Sequence, residues 1–216
     1  MERIRSLGRI PYAEAWEIQR DLLEKRASGE IPDTLLILEH PHVITMGRKT
    51  PGVRELEESG RKEWQGVPLF FVERGGEATY HGPGQIVMYP IFELSGSFGP
   101  KQFLRLMELA VVDLLRDFFL DAWPIEGKTG VWLKDPLGRE RKIASLGIAV
   151  RKNVSWHGLA LNVSTDLSYF KKISPCGFAP EVMTTLEELT GATVDHAAAA
   201  TRLAQLLLDR FQAVRK

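Results

Sequence analysis

The chain's one cysteine, Cys176, sits in "SPCGF" (174–178), between a proline and a glycine. A thiol can attack a carbonyl carbon and carry an acyl group as a thioester, splitting one difficult transfer into two easier ones. A lone cysteine can equally be a small buried hydrophobe. The irregular stretch around it favours chemistry, because loops are where reactive groups are commonly mounted. A cysteine of ordinary pKa, ~8.5, is only a few per cent thiolate at pH 7, so a catalyst needs an activator. His81 and His157 lie in glycine-flanked segments and could serve, whereas His40 and His42 flank a proline and His196 begins a helix. A lysine would also serve. An ammonium ~4 Å from a thiolate is worth about 4 kcal/mol at an effective dielectric of ~20. Lowering the thiol pKa from ~8.5 to ~7 takes only about 2 kcal/mol. Spacing alone does not choose between histidine and lysine.

A second stretch, "RGGEATYHGPGQ" (74–85), holds four glycines, an arginine and a histidine directly after an apolar run. Glycine lets a ligand approach the backbone, whose amides can then bond a ligand oxygen; the competing reading is a turn that needs glycine for geometry alone. This is no nucleotide fingerprint, since it lacks G-x-G-x-x-G opening a helix. The "GKT" at 127–129 fails as a phosphate loop because Ala122 stands where the first glycine is required.

Around these residues, 216 positions with 44% hydrophobic and 26% charged residues predict a globular fold with a real core. Lys+Arg 28 against Asp+Glu 28 gives no net charge, which argues against a general affinity for nucleic acid or anionic membrane. One cysteine excludes an internal disulfide and a cysteine-rich zinc site. No cofactor or metal is expected. The amino end lacks a signal-peptide core, and no run approaches the ~18 apolar residues of a membrane span, so a cytoplasmic protein is expected.

Helices are predicted over 11–29, where Pro11 suits the first helical position, over 100–120, and near 185–190 and 195–214. Strands are predicted at 34–40, 43–47, 68–74, 85–94, 130–134, 142–150 and 155–164, with Pro90 suggesting an edge or a bulge. The mixed order predicts an α+β (mixed α/β) fold, and no linker divides the chain, so one domain over 1–216 is expected.

"RGGEATYHGPGQIVMYPI", "KIASLGIAV", "HGLALNV" and "ISPCGF", with "EHPHVITMGR" near the amino end, together resemble the lipoyl(octanoyl) transferases of lipoate biosynthesis. The resemblance spans roughly residues 34 to 190. It implies the biotin/lipoate protein ligase-like catalytic fold, a mixed sheet with flanking helices. It also implies transfer of octanoyl from octanoyl-acyl carrier protein to a lysine of a lipoyl domain, in 2-oxoacid dehydrogenase complexes and in the glycine cleavage H protein. By that resemblance Cys176 is the nucleophile and Lys142 its activator. Arg74, Gly75, Gly76, Glu77, Ala78, Thr79, Tyr80, His81, Ser145, Leu146, Gly147, Gly158, Leu159 and Ala160 contact substrate. Docking of an acidic carrier would fall to Arg48, Lys49, Arg151, Lys152, Lys171 and Lys172. Two rivals are an ATP-dependent lipoate-protein ligase of the same fold, and a non-catalytic carrier-binding module in which Cys176 only packs.

Overall fold

A computed structural model describes residues 3–94, 98–173 and 179–215. Cys176 therefore lies outside the described residues. The chain runs β1 (Arg3–Arg9), α1 (Tyr12–Ala27), β2 (Thr34–Glu39), β3 (Val43–Met46), α2 (Val53–Glu58), β4 (Glu63–Trp64), β5 (Val67–Phe71), β6 (Ala78–His81) and β7 (Gln85–Ile91). It continues through α3 (Pro100–Asp117), β8 (Ala122–Ile125), β9 (Lys128–Lys134), β10 (Glu140–Arg151), β11 (Val154–Asn162), α4 (Leu186–Thr190) and α5 (His196–Ala213).

Among the described residues the strands form a seven-stranded sheet, β1-β2-β7-β11-β10-β9-β8, and a four-stranded one, β4-β5-β3-β6. The large sheet is antiparallel except for β1 on β2. Strands β7 and β11 are buried along their whole length, as near-continuous apolar runs must be when both faces are covered. On one face α3 and α5 pack through Phe103, Met107, Ala110, Val111, Leu203, Leu207 and Phe211. Each such aromatic or branched side chain contributes about 1.5–3 kcal/mol on burial. On the other face α1 packs through Ala15, Leu22 and Leu23. A third cluster joins the small sheet to the segments around Phe170 and Met183.

The expected mixed fold is present, with β1, α2, β4 and β8 in addition to the expected elements and three further local differences. Pro11 caps α1 from just outside the helix rather than occupying its first turn. The glycine-rich stretch is not wholly loop, because Ala78–His81 forms β6, antiparallel to β3. Pro90 lies in a central strand, not at an edge. It pairs with Leu35 of β2 on one side. On the other, the β11–β7 ladder stops at Leu159–Met88 and resumes where Ser155 N–H donates to Phe92 O at 2.8 Å. The missing donor of proline falls in that gap, where the Ser155 hydroxyl bonds the Pro90 carbonyl at 2.7 Å. The interruption positions the site.

Candidate active site

Where β11 parts from β7, His157 takes a left-handed backbone, φ 57°. Its freed N–H donates to Gln19 Oε1 at 2.8 Å, which explains a fully buried glutamine on the apolar face of α1. Gly158 follows at a point where the β7 backbone comes so close that a Cβ would lie 2.1 Å from the Met88 carbonyl oxygen and 2.7 Å from Pro90 Cδ. Strand β10 runs alongside, with Gly147 opposite Gly158 and Ser145 opposite Ala160. Arg74–Glu77 folds against β10, Gly75 N–H donating to the Ile148 carbonyl at 2.9 Å. The Arg74 guanidinium turns back onto the Thr45 carbonyl and hydroxyl, both at 2.8 Å.

These pieces enclose one pocket, lined by Arg74, Thr79, His81, Ser145, Leu146, Gly147, Gly158, Leu159 and Ala160, together with Tyr12, Tyr89 and His157. Nine of the fourteen residues that the resemblance assigns to substrate thus meet at a single cavity. Gly75, Gly76 and Glu77 line an adjoining groove of about 280 Å³, which shares Leu146 and Gly147 with the pocket and has Lys49 and Lys128 on its walls. Ala78 and Tyr80 lie elsewhere. The period-2 alternation of β6 turns their side chains into the third core cluster, where Tyr80 stacks on Tyr169 at 4.9 Å. Tyr12 and Tyr89 carried no sequence signal, because only the topology brings the start of α1 over the middle of β7.

The imidazoles are held neutral. Burial drives His81 well below its ordinary pKa, with the charges of His40, Arg74 and His157 acting in the same direction. Its Nδ1 meets Gln85 Oε1 at 2.8 Å, and Gln85 Nε2 donates to Asn162 Oδ1 at 2.9 Å. Nδ1 therefore carries the proton, leaving Nε2 as an acceptor. Burial also lowers His157, against an opposing pull from Glu73. His40, behind the pocket, is pushed down to about 4 by burial. The Tyr12 and Tyr89 phenols are raised by burial and stay protonated.

Lys142 stands at the start of the same β10 segment, opposite Trp132, and is 1% exposed. A bulge between Lys142 and Ala144 breaks the register with β9 there. The ammonium lies 5.5 Å from the centre of the Trp132 ring, within cation–π range. Gly130 of β9 makes the space: a Cβ at that position would lie 2.5 Å from Lys142 Cε and 3.2 Å from Nζ. The chain that follows the undescribed 174–178 returns beside this lysine, since Met183 bridges Lys142 and Thr184 N–H donates to its carbonyl at 3.1 Å. Asn162 Nδ2 donates to the Thr184 carbonyl at 3.1 Å, linking the His81–Gln85 chain to the same place. Of the six expected docking cations, Arg151 and Lys152 both pair with Glu24, at 3.4 and 2.5 Å, and Lys172 bonds the Gln65 carbonyl at 2.9 Å. Of the "GKT" segment, Gly127 lies in the tight β8–β9 turn and Lys128 and Thr129 begin β9.

Residues 11–208 match the family described as lipoyl protein ligase A/B catalytic domain. An octanoyltransferase of Thermobifida fusca is 41% identical over 86% of this chain and 78% of its own length. One of Solibacter usitatus is 46% identical over 83% of this chain and 80% of its own. In three dimensions the chain is similar to a lipoate-protein ligase A bound with ATP (TM-score 0.68, 20% identity, 98% of this chain and 86% of that one). It is also similar to the biotin protein ligase of Aquifex aeolicus (TM-score 0.55, 15% identity, 97% and 70%). These two likenesses concern the fold. No helix among the described residues is long and apolar enough to cross a membrane.

Proposed function

This chain belongs to the lipoyl protein ligase A/B catalytic-domain family, and on that premise we propose that it is an octanoyltransferase acting as one catalytic domain. It takes octanoyl from octanoyl-acyl carrier protein onto Cys176 and delivers it to a lysine of a lipoyl domain. The observation that carries this reading is the 41% and 46% identity to octanoyltransferases over most of both chains.

The Cys176 thiolate attacks the carrier thioester, and the departing carrier thiolate takes a proton from the Lys142 ammonium. The incoming lysine, having left one proton in solvent, attacks the new thioester as a neutral amine. Its second proton passes to Lys142, Cys176 leaves as thiolate, and the ion pair is restored. Thioester exchange is nearly isoenergetic and amide formation is downhill, so no nucleotide is consumed. Both steps pass through an oxyanion that backbone amides of 74–85 or beside Cys176 are suited to receive. Neutral His81 and His157 support lysine over histidine, since a thiolate partner must be positively charged at neutral pH. The pocket between β10, β11 and β6, about 20 Å³, has room only for the reacting end of the acyl group, and the octanoyl tail takes the adjoining groove of about 280 Å³; the carrier and lipoyl domains are cytoplasmic partners. Arg48, Lys49, Arg151, Lys152 and Lys171 are the docking cations whose side chains are exposed on the surface, and Arg151 and Lys152 also pair with Glu24.

The test against an ATP-dependent ligase is direct. Purified protein mixed with octanoyl-acyl carrier protein and a lipoyl domain should produce the octanoylated domain at the same rate with and without ATP. Modification that requires ATP and free fatty acid would establish the ligase instead.

A further inference from the structure

Helix α3 buries an acid. Glu108 lies among Met107, Val111 and Val112 on the apolar stripe of the helix and is 5% exposed. Its Oε1 accepts the Gly130 N–H at 2.9 Å, and its Oε2 pairs with Arg105 at 3.2 Å. Gly130 is the residue whose missing side chain makes room for the end of Lys142. An acid from α3 and a base from β10 therefore converge on one glycine of β9.

We infer that Glu108 is a positioning residue for Lys142: fixed on the Gly130 amide, its carboxylate supplies the buried anion that keeps the lysine charged beside Cys176. The inference rests on the reading of Lys142 as activator. Burial alone would drive a lysine toward its neutral form, and a second charge fixed nearby opposes that. While Cys176 carries the acyl group the thiolate is gone, and Lys142, having given up its proton, waits as the neutral base. Glu108 persists through both half-reactions and makes Lys142 the stronger base when the amine attacks. Burial raises the Glu108 carboxyl above its ordinary range on balance, and the Gly130 amide, Arg105 and Lys142 act against it, in favour of the ionised form. Among the described residues, the charges acting on Glu108 are Arg105 of its own helix and Lys142 of β10. Strand β9 offers the Gly130 amide, and α5, β8 and β11 contribute no charge to it.

Because the chain has one cysteine, iodoacetamide alkylation against pH reads the Cys176 thiolate without a competing signal. Removing the negative charge lets Lys142 lose its proton at lower pH and withdraws the ammonium from the thiolate. Glu108→Gln keeps an acceptor for the Gly130 amide and should shift the alkylation midpoint up, by on the order of one pH unit, toward that of Lys142→Ala. The alkaline limb of octanoyl transfer, set by Lys142, should move down. Lys142→Ala should move the midpoint up. Glu108→Asp, which keeps the charge and shortens the reach, should leave the midpoint closer to wild type than Glu108→Gln does. A midpoint displaced by Asp but not by Gln, with Lys142→Ala still raising it, would make Glu108 a mere partner for the Gly130 amide and overturn the inference alone. If Lys142→Ala leaves the midpoint unmoved, the reading of Lys142 as activator fails and the role of Glu108 fails with it.

Discussion

Lys142 ends where water does not reach, with an aromatic face on one side and a glycine on the other. That environment separates charge from shape. Lys142→Arg keeps the positive charge and should leave the Cys176 alkylation midpoint near its wild-type value. Octanoyl transfer should nonetheless fall by about 10²-fold or more, because guanidinium does not release a proton near pH 7 and the space over Gly130 is shaped for a linear chain. His81→Asn and His157→Asn should slow transfer without moving that midpoint; a midpoint raised by either would make the activator a histidine. At this scale the sequence was informative where residue type alone implies chemistry. Cys176 was legible as a thiol in need of an activator, histidine and lysine both stayed open as that activator, and the proposal of Lys142 came from the family pattern alone. Gly130 and Glu108 were not legible, since a glycine that clears a lysine and an acid on an apolar helix stripe acquire meaning only when β9, β10 and α3 are docked.

Strands β7 and β11 announce themselves as apolar runs, yet the feature that makes the pocket is where they fail to pair. Pro90 read as a sign of an edge or a bulge; the structure keeps β7 central and interrupts its pairing with β11 opposite the proline. Gly158→Ala would press a methyl into the Met88 carbonyl and the Pro90 ring. We expect a cost of about 1–3 kcal/mol, read as a lowered midpoint of urea unfolding, together with weaker octanoyl transfer. An unchanged midpoint would mean that the two strands separate easily there. Helix α2, six residues with none buried, gave no sequence signal, whereas helices α1, α3 and α5 and the long strands were legible because their hydrophobic periods are long. Strand β1 was not, being an exposed edge with no buried face, and β6 was hidden inside a glycine-rich run whose Thr79 and His81 face the pocket while Ala78 and Tyr80 face the core.

For the molecule as a whole, the buried neutral histidines tie stability to acidity. His40 donates from Nδ1 to the Ile10 carbonyl and accepts the Tyr89 hydroxyl at Nε2, both at 2.8 Å, so protonation would break the second bond. Its folded pKa, about 4, lies below the ordinary 6.5. The unfolded chain therefore takes up a proton first, and stability present above pH ~6.5 is lost as pH falls toward ~4, at about 1.4 kcal/mol per unit for this residue. Replacing it by Asn should flatten the pH dependence of unfolding in that window by about one proton; an unaltered slope would place His40 outside the acid transition. The reaction proposed for this fold passes an acyl group through Cys176. Intact-mass measurement after mixing with octanoyl-acyl carrier protein alone, with no lipoyl domain present, addresses it directly. The account predicts one added octanoyl group, mapped to Cys176, removed by hydroxylamine and absent from folded Cys176→Ala. Full octanoyl transfer by Cys176→Ala, or an adduct on any other residue, would contradict it.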